Sequence, residues 1–384
     1  MSKSERPIAD AQYVSAVYGG AVYSRDGMTG ECYDGGEETE GRSPLLKHVE
    51  TGERLFLRRV DLDPGSFDQA KFSQVDLEEG DPSPVFEAKD LERAYFRRIL
   101  DPPRTERILW PVDLIELPSQ RRDACTLFVD HDYSAERLSL GRRRGDYAVV
   151  LPVPSFGRLE SGASRLARLS PRSWKNPEVQ SLAVQLADLL DRLNQDGYTY
   201  HDFHLSRMFF VDKDRLYLDY SNLICSCNHL LEGADAFLRL PRGHNYPVEF
   251  GDPAVVRELI PAVDMQSQHY SLCAFLFYLF FGRYPYDGSL LSGYLDDSPY
   301  NHDIKFRDYH RMPVFIFDPE NRCNAIGAFE EDQEVLALWR DCPENLKELF
   351  VETLRRENAE RTVPVDNPPP GEWLSRFYQL GWSM

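Results

Sequence analysis

The feature that most constrains this chain is the stretch from Tyr270 to Phe281, which is apolar on nearly every side. A helix without a polar face has to be enclosed by other elements, so this segment predicts a helix in the middle of a lobe. Its longest apolar run, Leu272 to Phe281, falls well short of the roughly 20 residues that cross a bilayer. The reading is therefore a core helix and not a membrane span. A chain of 384 residues is long enough to bury such a core, and its length alone suggests two or three domains or lobes.

Composition narrows the function classes. The chain carries 44 Lys+Arg against 63 Asp+Glu, a formal net charge of −19. Proteins that grip a phosphate backbone present a basic face, so this balance argues against a nucleic-acid partner. Hydrophobic residues make up 42% and charged residues 28%, which reads as a folded chain and not a disordered one. Seven cysteines with no C-x-x-C pair do not form a disulfide scaffold, and a reducing compartment is the simple reading. The residues from Met1 to Pro7 lead into no apolar run, so no signal peptide is expected. Together these point to a soluble, cytoplasmic protein with no membrane partner.

The order of elements is strands, a break, then helices. Residues 1–35 are rich in Gly, Tyr and Ser; they hold a short strand at Ala16 to Tyr23 or form a flexible arm. Leu45 to Val60 reads as two strands about a turn at Glu50 to Glu53. The acidic stretch from Asp61 to Pro84 reads as a surface insertion, or as a docking arm for a partner. Leu91, Tyr95 and Ile99 predict a helix over Glu87 to Leu100, stopped by Pro102 and Pro103. Strands are expected at Ile108 to Leu117, Cys125 to Val129 and Tyr147 to Leu151, with Arg142 to Arg144 in a solvated loop. Pro152 and Pro154 mark the break. Beyond it lie an amphipathic helix over Glu178 to Asn194, two short strands at Met208 to Val211 and Leu216 to Leu218, and the apolar helix. Helices over Glu334 to Trp339, Glu344 to Glu357 and Glu372 to Leu380 complete the chain, the last preceded by a Pro-rich bend at Pro364 to Pro370. This order is an α+β class.

Two carboxylates stand out by their placement. Asp202 falls on a loop after the long amphipathic helix, and Asp219 at the end of a strand after a hairpin. Held this way, one carboxylate can accept a hydroxyl proton while the other holds a divalent metal against phosphate oxygens. Either one alone reads equally as a turn or helix-cap aspartate. Cys225, Cys227 and His229 form a C-x-C-x-H run open to a zinc reading, but no fourth ligand stands nearby, and an ordinary loop with free thiols is the alternative.

The segment from Gly197 to Phe210, followed by Leu216 to Ser221, resembles the catalytic and metal-binding loops of the protein kinase superfamily. Tyr200, His201 and Asp202 lie at the H-R-D positions, Arg207 at the following Asn, and Asp219, Tyr220 and Ser221 at D-F-G. Arg54 to Val60 resembles the third strand of that family with its lysine position at Arg58. Glu92 stands at the spacing of the Glu that pairs with the strand lysine. Tyr270 to Phe281, running on to Tyr286, resembles the buried helix and its G-x-x-P-[FY] ending, and Arg361 matches the late arginine. Met312 to Asn321 is similar to a stretch of some bacterial Ser/Thr kinases of eukaryotic type.

The resemblance implies a bilobal kinase-like α+β fold. Residues 1–35 would be an extension, 36–151 a sheet-rich N-lobe with an acidic insertion at 61–86, and 152–384 a helical C-lobe. It implies ATP in an interlobe cleft beneath Gly36 and Gly41, Mg²⁺ on Asp219, and a protein substrate or protein partner. Asp202 would be the catalytic base, Arg58 the phosphate clamp, Glu92 its anchor and Arg207 an electrostatic substitute for one metal.

The departures from the family pattern are as informative as the matches. Between Gly36 and Gly41 stand Glu37, Glu38 and Glu40. A phosphate cradle works by turning bare N–H groups toward anions, and like charges ~5 Å apart repel by about 3 kcal/mol at an effective dielectric of ~20. Arg58 replaces the compact lysine ammonium with a wide planar fork. Arg207 has no acceptor and cannot coordinate a cation. Tyr220 and Ser221 remove the hinge glycine, and Gln268 stands where an Asp ties down the catalytic loop. Two readings follow: a pseudokinase with impaired or absent phosphotransfer, and an active, atypical Ser/Thr kinase working through Asp202 and Asp219 with Arg207 in place of the metal-binding Asn.

Overall fold

The computed structural model describes residues 12–15, 22–24, 27–29, 45–48, 54–60, 102–110, 113–116, 147–152, 159–169, 172–200, 203, 208–211, 215–219, 223–225, 250–257, 265–290, 309–311, 313–355 and 366–384. The chain is α+β and divides into two compact units. One comprises Met1–Ser164, Met208–Ser221 and His229–Arg239; the other comprises Arg165–Arg207, Asn222–Asn228 and Leu240–Met384.

The first unit is built on strands. β1 (Gln12–Ser15), β2 (Val22–Ser24), β3 (Gly27–Thr29), β4 (Leu45–His48), β5 (Arg54–Val60), β7 (Asp113–Glu116) and β8 (Tyr147–Pro152) form a seven-stranded sheet in the order β3-β2-β1-β4-β5-β8-β7. β6 (Ile108–Leu109), β9 (Leu159–Ser161), β11 (Met208–Val211) and β12 (Arg215–Asp219) form a second sheet in the order β6-β12-β11-β9. The described strands within residues 1–35 have other bounds than the expected Ala16 to Tyr23, of which residues 16–21 lie outside the described residues; β1 pairs antiparallel with β4 through Tyr13 and His48 and so belongs to the large sheet.

The single strand expected over Ile108 to Leu117 is corrected to two. Ile108–Leu109 pairs in parallel with β12, and Asp113–Glu116 pairs antiparallel with β8 in the other sheet. Trp110, Pro111 and Val112 stand between them in the sequence, and a proline has no N–H with which to continue a ladder. Pro152, expected at the break, is the last residue of β8, opposite Leu55. The helix expected over Glu87 to Leu100 and the strand over Cys125 to Val129 lie outside the described residues.

Helix α1 (Gly162–Arg168) spans the boundary between the units. The second unit is built on α2 (Pro177–Gln195), α3 (Pro253–Val256), α4 (Met265–Phe281), α5 (Asp332–Asp341), α6 (Glu344–Leu354) and α7 (Pro370–Gln379), with a two-stranded ribbon of β10 (Tyr198–Tyr200) and β13 (Leu223–Cys225). α2 starts where Asn176 accepts a hydrogen bond from the Glu178 N–H at 3.0 Å, with Pro177 in the first turn. Its leucines 182, 186, 189, 190 and 193 are all buried.

α4 is the apolar helix. It begins at Met265, five residues earlier than expected, because its first-turn polar side chains find partners inside the unit. Phe277 of α4 meets Phe315 at 5.3 Å and Phe350 at 5.4 Å, and Phe280 meets Phe377 at 6.1 Å and Trp382 at 5.6 Å. Edge-to-face contacts dominate this core, as the ring quadrupoles favour. The helix ends at Gly282, whose φ of +68° is a left-handed turn that a side chain would strain. Tyr286 then turns back under the helix, and its hydroxyl meets that of Tyr270. Burial, first of all, holds the Tyr270 and Tyr309 hydroxyls well above their usual range, so both are protonated, and the Tyr309 hydroxyl accepts from the Tyr286 N–H at 3.1 Å.

Two buried polar residues pin the loops that follow. Asn324 donates to the carbonyls of Tyr286 at 2.8 Å and Val314 at 2.7 Å, and accepts from the Leu290 N–H at 2.9 Å. Asp332 accepts from the N–H groups of Gly327 at 2.7 Å and Phe329 at 3.1 Å and pairs with Arg283. Burial alone would raise the Asp332 carboxyl; the two backbone donors and Arg283 outweigh it and hold the carboxyl below its ordinary value of 3.8. Asp287, also beside Arg283, is raised by burial.

Two expectations follow. A Cβ at Gly288 would lie 1.9 Å from the Asn324 carbonyl oxygen. Gly288→Ala is therefore expected to lower stability by ~2 kcal/mol, read as a lower urea midpoint at constant slope; an unchanged midpoint would mean that the close approach does not constrain the loop. The depressed Asp332 value means that its contribution is fully present above pH 3.8 and is lost as the pH falls below it. In Asp332→Asn, urea midpoints measured from pH 5 to pH 2 should fall less steeply with acid than in the wild type; an equal slope would place the acid sensitivity elsewhere.

Candidate functional site

Of the residues given a catalytic, nucleotide-binding or metal-binding role from sequence, Asp219 and Arg58 fall on described backbone. β11 and β12 form a hairpin in which Met208 opposes Leu218 and Val211 opposes Arg215. Met208, Phe210, Leu216 and Leu218 are buried, which fixes the register of this hairpin. Asp219 is its last residue, opposite Leu109 of β6 in the parallel pair. Arg58 lies on β5 opposite Val149 of β8. The structure thus puts Arg58 and Asp219 in different sheets of the first unit. Gly36, Gly41, Glu92, Asp202 and Arg207 lie outside the described residues.

The residues that flank Asp202 are described and are anchored firmly. Tyr200 is fully buried at the end of β10, and Phe203 is 1% exposed. Their rings meet edge to face at 5.4 Å, and Phe203 packs on Phe275 of α4 at 6.2 Å. The Tyr200 N–H donates to the Gln268 Oε1 at 2.6 Å, and Gln268 is itself fully buried. The sequence reading counts Gln268 among the losses because an acid is absent. The acceptor is nonetheless present: the amide oxygen makes the tie that a carboxylate would make, without burying a charge.

Gln268 belongs to a longer network. Its Nε2 donates to the Asn194 Oδ1 at 3.1 Å, and the Asn194 Nδ2 lies 3.4 Å from the His269 Nε2. The His269 Nδ1 lies 3.2 Å from the Asn367 carbonyl oxygen. Asn367 is held in turn by Gln266, whose Oε1 accepts from the Asn367 N–H at 2.6 Å and whose carbonyl accepts from the Asn367 Nδ2 at 2.9 Å. The end of α2, the first turn of α4 and the residues ahead of α7 thus converge behind Tyr200. Sequence reasoning missed Asn194, His269 and Asn367. The available signal was the run Gln266, Ser267, Gln268, His269 at the head of an otherwise apolar helix.

Other features of the described residues carry less chemistry. A shallow surface groove along α5 is lined by Phe317, Leu336, Ala337 and Trp339 with Gln333 and Arg340, and none of these is a residue singled out for catalysis. Cys225 ends β13, while Cys227 and His229 lie outside the described residues. Among the described residues no group of three His, Cys, Asp or Glu side chains is placed to hold a metal ion. No described helix is long and apolar enough to cross a membrane.

No protein-family model matches this chain, and no curated protein matches it.

The tie to Tyr200 makes a quantitative expectation. Gln268→Met keeps the volume but leaves the Tyr200 N–H and the Asn194 Oδ1 without the partners they have now. A buried polar group deprived of its partner costs ~1–3 kcal/mol. Urea denaturation should show a loss in that range; a neutral result would mean that water or a local shift replaces the amide.

Proposed function

We propose that this chain is a divergent protein-kinase-like protein, cytoplasmic, with impaired or absent Ser/Thr phosphotransfer, whose role is to bind a protein partner. The observation that carries the reading is the bond from the Tyr200 N–H to Gln268 on the buried helix α4. It fixes the chain two residues ahead of Asp202, the residue at the catalytic-base position of the kinase pattern. The hairpin of β11 and β12, ending at Asp219, supports the same reading by its order and length. The loss of catalysis is argued from chemistry. Asp202 and Asp219 offer the hard oxygen donors that Mg²⁺ requires, but Arg207 offers none. Glu37, Glu38 and Glu40 stand where phosphates would have to be received.

A second reading has one observation in its favour. Because Gln268 keeps the tie, that departure does not by itself loosen the loop of Asp202. An active, atypical Ser/Thr kinase would then use Asp202 as the base, Asp219 for the metal, Arg58 with Glu92 on the phosphates, and Arg207 as a fixed cation.

A thermal-shift titration with ATP, with and without Mg²⁺, followed by a radiolabel transfer assay, separates the two. The first reading expects no transferred label. Nucleotide at 100 times its Kd would add about 2.7 kcal/mol of stability, so a clear shift requiring Mg²⁺, together with transfer that Asp202→Ala abolishes, would overturn the pseudokinase reading in favour of the second.

A further inference from the structure

The turn ahead of α5 holds an aromatic ring in solvent on a fixed backbone. Phe329 is 50% exposed, and Ala328, Glu330 and Glu331 around it are exposed as well. Its N–H is nevertheless tied to the Asp332 carboxylate at 3.1 Å, and the Gly327 N–H to the same oxygen at 2.7 Å. The backbone that presents the ring is therefore ordered before any partner arrives, which lowers the entropy lost on binding. The same turn borders the groove on α5: a Cβ at Gly327 would lie 3.6 Å from the Leu336 Cδ1. Gln333, Leu336, Ala337 and Arg340 recur at the spacing of one helix face and line that groove. Beside them the Phe317 ring lies flat against Trp339 at 4.3 Å, with 2° between the planes. Phe317, Leu336, Ala337 and Trp339 are all only partly buried. One exposed ring alone needs no explanation, but a ring on a fixed turn beside an apolar groove is the pattern of an interface.

The charges along this face are arranged end to end. The Gln333 N–H donates to the Glu330 carbonyl at 3.1 Å, so Glu330 continues the row one turn ahead of Gln333. Arg340 ends the row. Its side chain is 78% exposed and meets Asp341 through Nε at 3.4 Å, a carboxylate that Lys175 already holds at 2.7 Å. The face thus runs from an acid and a protruding ring, through an apolar middle, to a cation. Turned end for end by a two-fold axis, that order of groups is its own complement. We propose that a second copy of this chain docks here, in an isologous dimer whose two α5 helices pass antiparallel. Phe329 of each copy enters the groove of the other beside Trp339, and Glu330 of each meets Arg340 of the other. By symmetry every such contact forms twice. The inference goes beyond the kinase-like reading and does not rest on it, since it uses only α5, the turn ahead of it and Phe317.

Sedimentation equilibrium of the full chain across the micromolar range tests it. The wild type should show a concentration-dependent equilibrium between monomer and dimer. Phe329→Ala removes a ring that faces solvent in the monomer, so the urea midpoint should hold. The dimer dissociation constant should rise by at least about tenfold, as expected of an aromatic anchor buried in a pocket. Glu330→Arg alone and Arg340→Glu alone each set like charges against each other at both ends of the helix pair, and each variant should sediment as a monomer. Mixed in equal amounts, the two variants should pair with one another, because every acid then meets a cation. A wild type that stays monomeric throughout overturns the inference and leaves the groove to a partner of another sequence. A dimer insensitive to Phe329→Ala, or two charge variants that do not associate when mixed, overturns it as well.

Discussion

Helix α4 is buried along almost its whole length, and the second unit is organised by what that burial demands. A helix with a polar face can rest on one neighbour, whereas this one has to be met from all sides before its burial is complete. The partners are aromatic and come from distant parts of the sequence: Phe315, Phe350, Phe377 and Trp382 all meet rings of α4. Large rings fill such a space with few rotatable bonds, so much area is removed from water for little side-chain entropy. The same enclosure sets a harder condition at the ends of the helix. Ser267, Gln268 and His269 near its start are as buried as its rings, and there each donor needs an acceptor inside the protein.

The unit meets that condition in two different ways. Around Asp332 it keeps a charge, and surrounds it with two backbone N–H groups and Arg283. That carboxylate has several donors, so burial does not neutralise it. Around Gln268 the unit uses neutral amides and one imidazole, joined from a backbone N–H to a backbone carbonyl. A carboxylate at residue 268 would still receive the Tyr200 N–H. It would also require the Asn194 amide to reverse, and the reversed amide would present oxygen to the His269 Nε2.

How much of this was legible in the sequence follows from the range of the interactions. The apolar helix, the stripe of leucines on α2 and the hairpin at Met208 were readable because period and turn are local properties. The segment 108–117 divides into two strands on either side of Pro111, a local signal in the sequence, since proline cannot donate to a ladder. The early start of α4 was not legible. Gln266 to His269 are polar and precede the apolar run, and Ser267 to His269 are buried in the helix with Asn194 and Asn367 opposite this turn, about 75 and 100 residues away along the chain. Asn367 in particular has no pattern to announce it, since it follows a Pro-rich bend and acts largely through its backbone.

The tie at Tyr200 and the chemistry at Asp202 answer to different physics, which is why a chain can keep one and lose the other. The tie is short-ranged: it needs one oxygen at hydrogen-bond distance in a dry site, and an amide supplies it. Phosphate binding is longer-ranged and depends on the sign of the charge summed over a region. On the reading proposed here, the net charge of −19 matters where it gathers, at Glu37, Glu38 and Glu40, because Arg58 and Arg207 would have to offset it before any phosphate could approach. A fold under selection for partner binding needs its buried helix and its ties. It does not need that local balance of charge. The polar contacts behind Tyr200 serve the first requirement whether or not the second is met, so they are silent about the transfer of phosphate.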